Sequence, residues 1–132
     1  MKIEKNETVT MRYRLSDRDV FYGGGVVNGA RGITLLEDVS QRLLSKVAGD
    51  SGICRGVHHI RLYEPLHAGD YLENKARIYD IQDNKIFIQS RIFKIAALPE
   101  TPEFPSSIDI LENPILCTEA MFIFTLHNKN TD

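Results

Sequence analysis

The 132-residue chain is 42% apolar and 26% charged, with a formal net charge of -2. That is enough chain for one domain with a real core and too little for two. The balance carries no basic footprint for nucleic acid or an anionic membrane, and no apolar run approaches the roughly 20 residues that span a bilayer.

The first segment, "MKIEKNETVTMRYR", lacks the apolar stretch of a secretion signal. It leads into "TVTMRYRL", where Val9, Met11, Tyr13 and Leu15 alternate with Thr10, Arg12 and Arg14, the period of a strand. The polar turn "SDRD" follows. Next comes "FYGGGVVNGARG", which holds five of the chain's nine glycines in twelve positions. Glycine carries the largest backbone entropy loss on folding, so a cluster implies positive φ angles or close approach of a backbone or ligand.

From about residue 28 to 47 the period becomes helical. Ile33, Leu36, Leu43, Leu44 and Val47 fall on one side, with Leu35 and Val39 at its flank. Arg31, Thr34, Asp38, Gln41, Arg42 and Ser45 fall on the other. Asn28 reads as the N-cap and Gly49 as the stop. No second segment rivals this helix.

The remainder reads as strands. "ICRGVHHIRLY" ends at the turn "EPLHAGD"; "YLENKARIYDIQ" runs to "DN", a hairpin signal, and "KIFIQSRIFKIAAL" returns. The connection "PETPEFPSSIDILENP" holds four of the five prolines and is expected to lie outside any sheet. "ILCTEAMFIFTLH" is the last strand, and a frayed tail is expected over about residues 127–132. Cys54 and Cys117 are too far apart for a local C-x-x-C site, so buried free thiols in a cytoplasmic protein are expected.

One strand, one long helix and four strands imply an α+β domain over residues 1–132. A long helix with a wide apolar face is buried by a curved antiparallel sheet of about five strands, the hot-dog arrangement. Such a domain leaves a sheet edge open, so a homodimer or higher homo-oligomer is expected.

Within that frame "EPLHAGDYLENKARIYDI" resembles the hairpin of hot-dog acyl-CoA proteins, where a Pro-x-x-x-Gly-Asp turn feeds a long strand. "DVFYGGGVVNGARGITLLEDVSQRLL" resembles the helix start of the β-aminoacyl-CoA ammonia lyases, including those of lysine fermentation. Their pattern, Y-G-G-x-x-V-x-G-A with an Asp in the third helical turn, is matched by Tyr22, Gly23, Gly24, Val27, Gly29, Ala30 and Asp38. One departure is Glu37, where that family tends to carry a small residue. Laid on the H-G-G-x(6)-D motif of hot-dog thioesterases, "NGARGITLLED" puts Glu37 at the catalytic carboxylate.

The resemblance implies a carbon–nitrogen lyase that interconverts a 3-aminoacyl-CoA, such as 3-aminobutyryl-CoA, with the 2-enoyl-CoA (crotonyl-CoA) and ammonia. Hydrolysis of an acyl-CoA is the second reading, and a non-catalytic acyl-CoA binder the third. Elimination needs a base for the C2 proton and donors for the oxygen that becomes enolate-like. Unpaired N–H groups at a helix start suit the second task. Gly29 and Ala30 are the expected donors, with Gly24, Asn28 and Arg31 as further substrate-binding candidates. The glycines also admit a plainer reading, as turn formers that let the helix pack closely.

Asp38 is the expected base from the lyase pattern and Glu37 from the thioesterase pattern; consecutive helical residues point about 100° apart, so both do not serve one centre equally. Asp38 alternatively belongs to a solvated face with local ion pairs. Tyr22 either hydrogen-bonds the substrate or plugs the helix start. His58 and His59, adjacent in a strand, are expected to face opposite sides. No P-loop, dinucleotide fingerprint or zinc-ligand spacing is present, so no cofactor or metal is expected beyond the coenzyme A of the substrate.

Overall fold

A computed structural model describes residues 3–127; residues 128–132, most of the expected tail, lie outside the described residues. The elements are β1 (Thr8–Arg14), β2 (Val26–Val27), α1 (Gly29–Ala48), β3 (Ile53–Leu62), β4 (Leu66–His67), β5 (Tyr71–Gln82), β6 (Lys85–Ala97) and β7 (Asp109–Thr125). The five long strands form one antiparallel sheet in the order β1-β5-β6-β7-β3, and β2 pairs with β4 in a separate ribbon. Helix α1 packs across β1, β5, β6 and β7. The α+β reading and the order of elements hold.

Both ends of α1 follow their local chemistry. Asn28 Oδ1 accepts the Arg31 N–H at 3.0 Å, and Gly49, left-handed at φ 67°, donates its N–H to the Ser45 carbonyl at 3.0 Å. The buried stripe is rotated from the expected one. Leu35 and Val39 lie at its centre with Leu36, Leu43 and Leu44, whereas Ile33 and Val47 are half-buried. The stripe meets Leu72, Ile78, Ile88, Ile92, Phe122 and Phe124 of the sheet. At about 1.5–3 kcal/mol per buried aliphatic side chain, this contact rather than intrinsic propensity holds the helix. Ser40, also buried, donates to the Leu36 carbonyl at 2.8 Å and meets Ser90 Oγ at 2.6 Å, so each hydroxyl has a partner.

Two expectations are corrected. The proline-rich connection does enter the sheet: β7 begins at Asp109 and includes Pro114. Ala96 pairs with Ile110 but Lys94 with Ile115, an irregularity that leaves several β7 residues unmatched around the proline. Strand β3 stops opposite Thr118, so this part of β7 is also an edge, where a missing N–H is tolerated. The second correction concerns His58 and His59. Their Nδ1 atoms meet, with ring centroids 4.4 Å apart, because His59 adopts φ 53° in a bulge between His58 and Arg61. A bulge cancels the alternation from which opposite faces were inferred.

Candidate active site

The approach to α1 is built by several small devices. Ser16 opens the turn after β1 with a capping box: its Oγ accepts the Arg18 N–H, and Asp19 Oδ2 accepts the Ser16 N–H at 2.9 Å. Gly24 and Gly25 both take φ 75°, a conformation that side chains resist, and turn the chain into β2. The ribbon of β2 and β4 then straps this loop to the Pro-x-x-x-Gly-Asp turn, helped by an Ala68 N–H to Gly25 carbonyl bond of 2.9 Å. Asp70 anchors that turn. It is 2% exposed and accepts from the His67 N–H at 2.7 Å and from Lys94 Nζ at 3.1 Å. The Gly-Asp pair of the motif is therefore a structural clamp.

The strapped loop delivers the start of α1 to a cleft of ≈ 330 Å³. Tyr22, Asn28 and Gly29 stand on one side, Leu62, Tyr63 and Glu64 on the other, and Val27, Leu66 and Thr118 form its base. Among the described residues no protein acceptor meets the Gly29 or Ala30 N–H, while the Arg31 N–H is taken by Asn28. The helix start thus presents free donors and the positive end of its dipole to the cleft. A larger hollow of ≈ 440 Å³ lies on the outer face of the sheet, among Tyr79, Phe87, Glu119 and Met121. It has no helix terminus and is bordered by an engaged network: Arg91 Nε and the Tyr63 hydroxyl both donate to Glu119, at 2.6 and 3.0 Å. The guanidinium first, then the tyrosine hydroxyl, holds the Glu119 carboxyl below its ordinary range.

The candidates separate into four groups. Tyr22, Asn28 and Gly29 line the cleft, whereas Ala30, the next residue along α1, is exposed and does not line it. Tyr22 is 59% exposed on the rim and plugs nothing in this chain. Gly24 shapes the loop.

Arg31 turns to the fold: Nε donates to Asp19 Oδ1 at 2.8 Å, a terminal nitrogen donates to the Tyr13 hydroxyl at 2.9 Å, and the guanidinium lies over the Tyr13 ring. Burial alone would raise the Asp19 carboxyl; the Ser16 N–H and the Arg31 guanidinium outweigh it and hold it below the usual range.

Glu37 and Asp38 stand two turns further on, and neither lines the cleft. Asp38 is exposed. Glu37 is half-buried on the β3 side, where burial and then its carboxylate push the Cys54 thiol up. Gly29, Ile33 and Glu37 form one i, i+4, i+8 stripe along that side. Eight residues at 1.5 Å each put Glu37 about 12 Å from Gly29 along the axis.

Leu62, Glu64 and Thr118 escaped sequence reasoning as lining residues. The Pro-x-x-x-Gly-Asp turn was a signal for the first two, since it must return past the helix start. Nothing in the local pattern marks Thr118.

The sequence matches no family model. It is 35% identical over 113 residues to 3-aminobutyryl-CoA ammonia lyase of Acetoanaerobium sticklandii, across 83% of this chain and 86% of that one. The chain belongs to that CoA ammonia lyase family. Its fold agrees with that of a second CoA ammonia lyase, the β-alanyl-CoA enzyme of Clostridium propionicum, at a TM-score of 0.86 and 25% identity, over 96% of this chain and 90% of that one. An acyl-CoA hydrolase of Staphylococcus aureus (TM-score 0.75, 12% identity, 96% and 70% covered) shares the fold alone. So does a hexameric thioesterase of Yersinia pestis (TM-score 0.72, 14% identity, 99% and 95% covered). The named relatives are CoA ammonia lyases, which makes this chain one of a family of enzymes.

Proposed function

We propose that the protein interconverts a 3-aminoacyl-CoA, 3-aminobutyryl-CoA in the first instance, with the 2-enoyl-CoA and ammonia. The observation that carries the reading is the unclaimed Gly29 amide on the cleft, with the unclaimed Ala30 amide next to it, in a chain of this family. The thioester oxygen accepts from these amides. A carboxylate takes the C2 proton, and the electrons of that bond move onto the oxygen. They return to form the C2–C3 double bond as the C3–N bond breaks and ammonia departs.

Glu37 is the proposed base. It is half-buried and shares a stripe with Gly29, whereas Asp38 is exposed. The separation along α1 is too long for one chain to bring amides and carboxylate to adjacent carbons. The free edge of β3 flanks the same stripe, so the proposed unit is a homodimer or higher homo-oligomer in which the amides of one chain meet Glu37 of another. These steps draw on the chain's own groups and on coenzyme A as the substrate's handle, in a cytoplasmic setting.

The test is one incubation with crotonyl-CoA and ammonium. Loss of enoyl-thioester absorbance without free thiol is the expected result. Release of thiol would make the protein a thioesterase, and no change on either readout would make it a binder.

A further inference from the structure

We propose that Thr118 holds the C3 amino group of the substrate, an assignment that rests on the lyase reading above. Thr118 lies on β7, opposite Leu62 of β3, and is 2% exposed. Its hydroxyl makes no hydrogen bond with the described protein. It is not sealed in the core either: Asn74 Oδ1 is the side-chain atom in that position among the described residues, whereas Thr118 lines the helix-start cleft. A hydroxyl that no protein group engages adds nothing to the packing that valine, of the same shape, would not supply. Packing alone therefore does not call for a threonine at this position, and its hydroxyl faces the cleft, free to engage water or a ligand.

The position matches the amine. A Cβ on Gly32 would stand 3.4 Å from Thr118 Oγ1, so the hydroxyl sits beside the first turn of α1. Gly32 lies about 4.5 Å further along the axis than Gly29. A thioester whose oxygen meets the Gly29 and Ala30 amides carries its amine two carbons beyond the carbonyl, into the depth where Thr118 stands. Ile92 Cδ1 and Leu66 Cδ1, each 3.6 Å from the same Cβ point, give the methylene and methyl groups an apolar wall. A hydroxyl is suited to this task. Its lone pairs accept from the ammonium in the elimination direction and from ammonia in the addition direction. Being neutral, it does not hold the leaving nitrogen as a carboxylate would.

Steady-state kinetics of Thr118→Val and Thr118→Ser in both directions test the assignment. Thr118→Val is expected to lose about 10- to 100-fold in kcat/KM for the aminoacyl ester and to raise the KM for ammonium by a similar factor. The KM for the enoyl ester stays within about twofold, and Thr118→Ser recovers most of the loss. If Thr118→Val does not fold, Thr118→Ala carries the same comparison. Wild-type kinetics in the variant, or equal weakening towards ammonium and enoyl ester, overturns the amine contact while the lyase reading stands. A wild-type protein that forms no aminoacyl ester overturns both.

Discussion

Leu62 rests on the α-carbon of Gly29: a methyl group added there would stand 2.9 Å from Leu62 Cδ1. Leu62 is 60% exposed and can turn aside. Alanine at the first helical position also adds no backbone penalty. Gly29→Ala is therefore expected to keep its thermal midpoint within about 4 °C of the wild type. The same methyl crowds the approach to the amides, so kcat/KM falls by at least about tenfold. Circular-dichroism melting beside the enoyl-thioester assay reads both quantities; full activity would remove the Gly29 amide from the site.

Asp19 and Arg31 tie the loop after β1 to the first turn of α1. Asp19 is 6% exposed, so Arg31→Met leaves a buried carboxylate without its cation and is expected to destabilise by about 2 kcal/mol, below the figure for a fully buried pair because Arg31 is partly solvated. The pH dependence follows from the depressed carboxyl. Between its folded value and its ordinary one the unfolded chain binds more protons, so the stabilisation is complete above about pH 4 and is lost as pH falls through the folded value. Urea midpoints of wild type and Asp19→Asn should differ at pH 6 and converge below that window. A constant difference would show that the charge does not matter.

Glu37→Gln is expected to lower lyase kcat by about 1,000-fold or more with the fold intact, whereas Asp38→Asn stays within about fivefold. The opposite ranking would return the base to Asp38. Mixing Glu37→Gln with Gly29→Ala subunits under exchange tests the shared site. Activity that rises above either parent means that two chains complete one centre; a mixture no better than the average of its parents would confine the site to a single chain.

Gly52 and Gly24 share a left-handed backbone but not a neighbourhood. A Cβ on Gly52 would lie 2.8 Å from Leu44 Cδ1 and 3.2 Å from the Thr125 carbonyl, while one on Gly24 would meet nothing within 4 Å. Gly24→Ala should therefore show the backbone penalty alone, about 1 kcal/mol, and Gly52→Ala about 3 kcal/mol once overpacking is added. Chemical denaturation of the two variants side by side measures the difference; equal losses would mean that Leu44 and the β7 terminus yield freely.

What could be read from the sequence followed from local rules. The caps at Asn28 and Gly49, the Asp83-Asn84 hairpin and the strand period from Val9 to Tyr13 are all short-range, and the structure keeps them. Features set by distant partners were not legible. The true centre of the helical stripe depends on where the sheet lies, which put Leu35 and Val39 deeper than a projection alone suggests. The strand around Pro114 exists because β6 reaches beyond β3, a difference in length no proline count contains. At the candidate site, the glycines and carboxylates announce themselves by residue type. Thr118 does not, because a threonine in a strand is ordinary until the missing partner of its hydroxyl is seen. Arg31 illustrates the reverse: its place on the polar face suggested substrate, and Asp19, twelve residues earlier, claims it instead.

The left-handed turn at His59 interrupts the outer edge of β3. The outer amides and carbonyls of β3 do not continue in one line from Ile53 to Leu62, so a straight strand laid alongside runs out of matching groups where the two imidazoles meet. Sliding that strand by a pair of residues would drive it into the kink. The bend therefore acts as an end-stop that limits how far a strand added along this edge can slide towards Leu62.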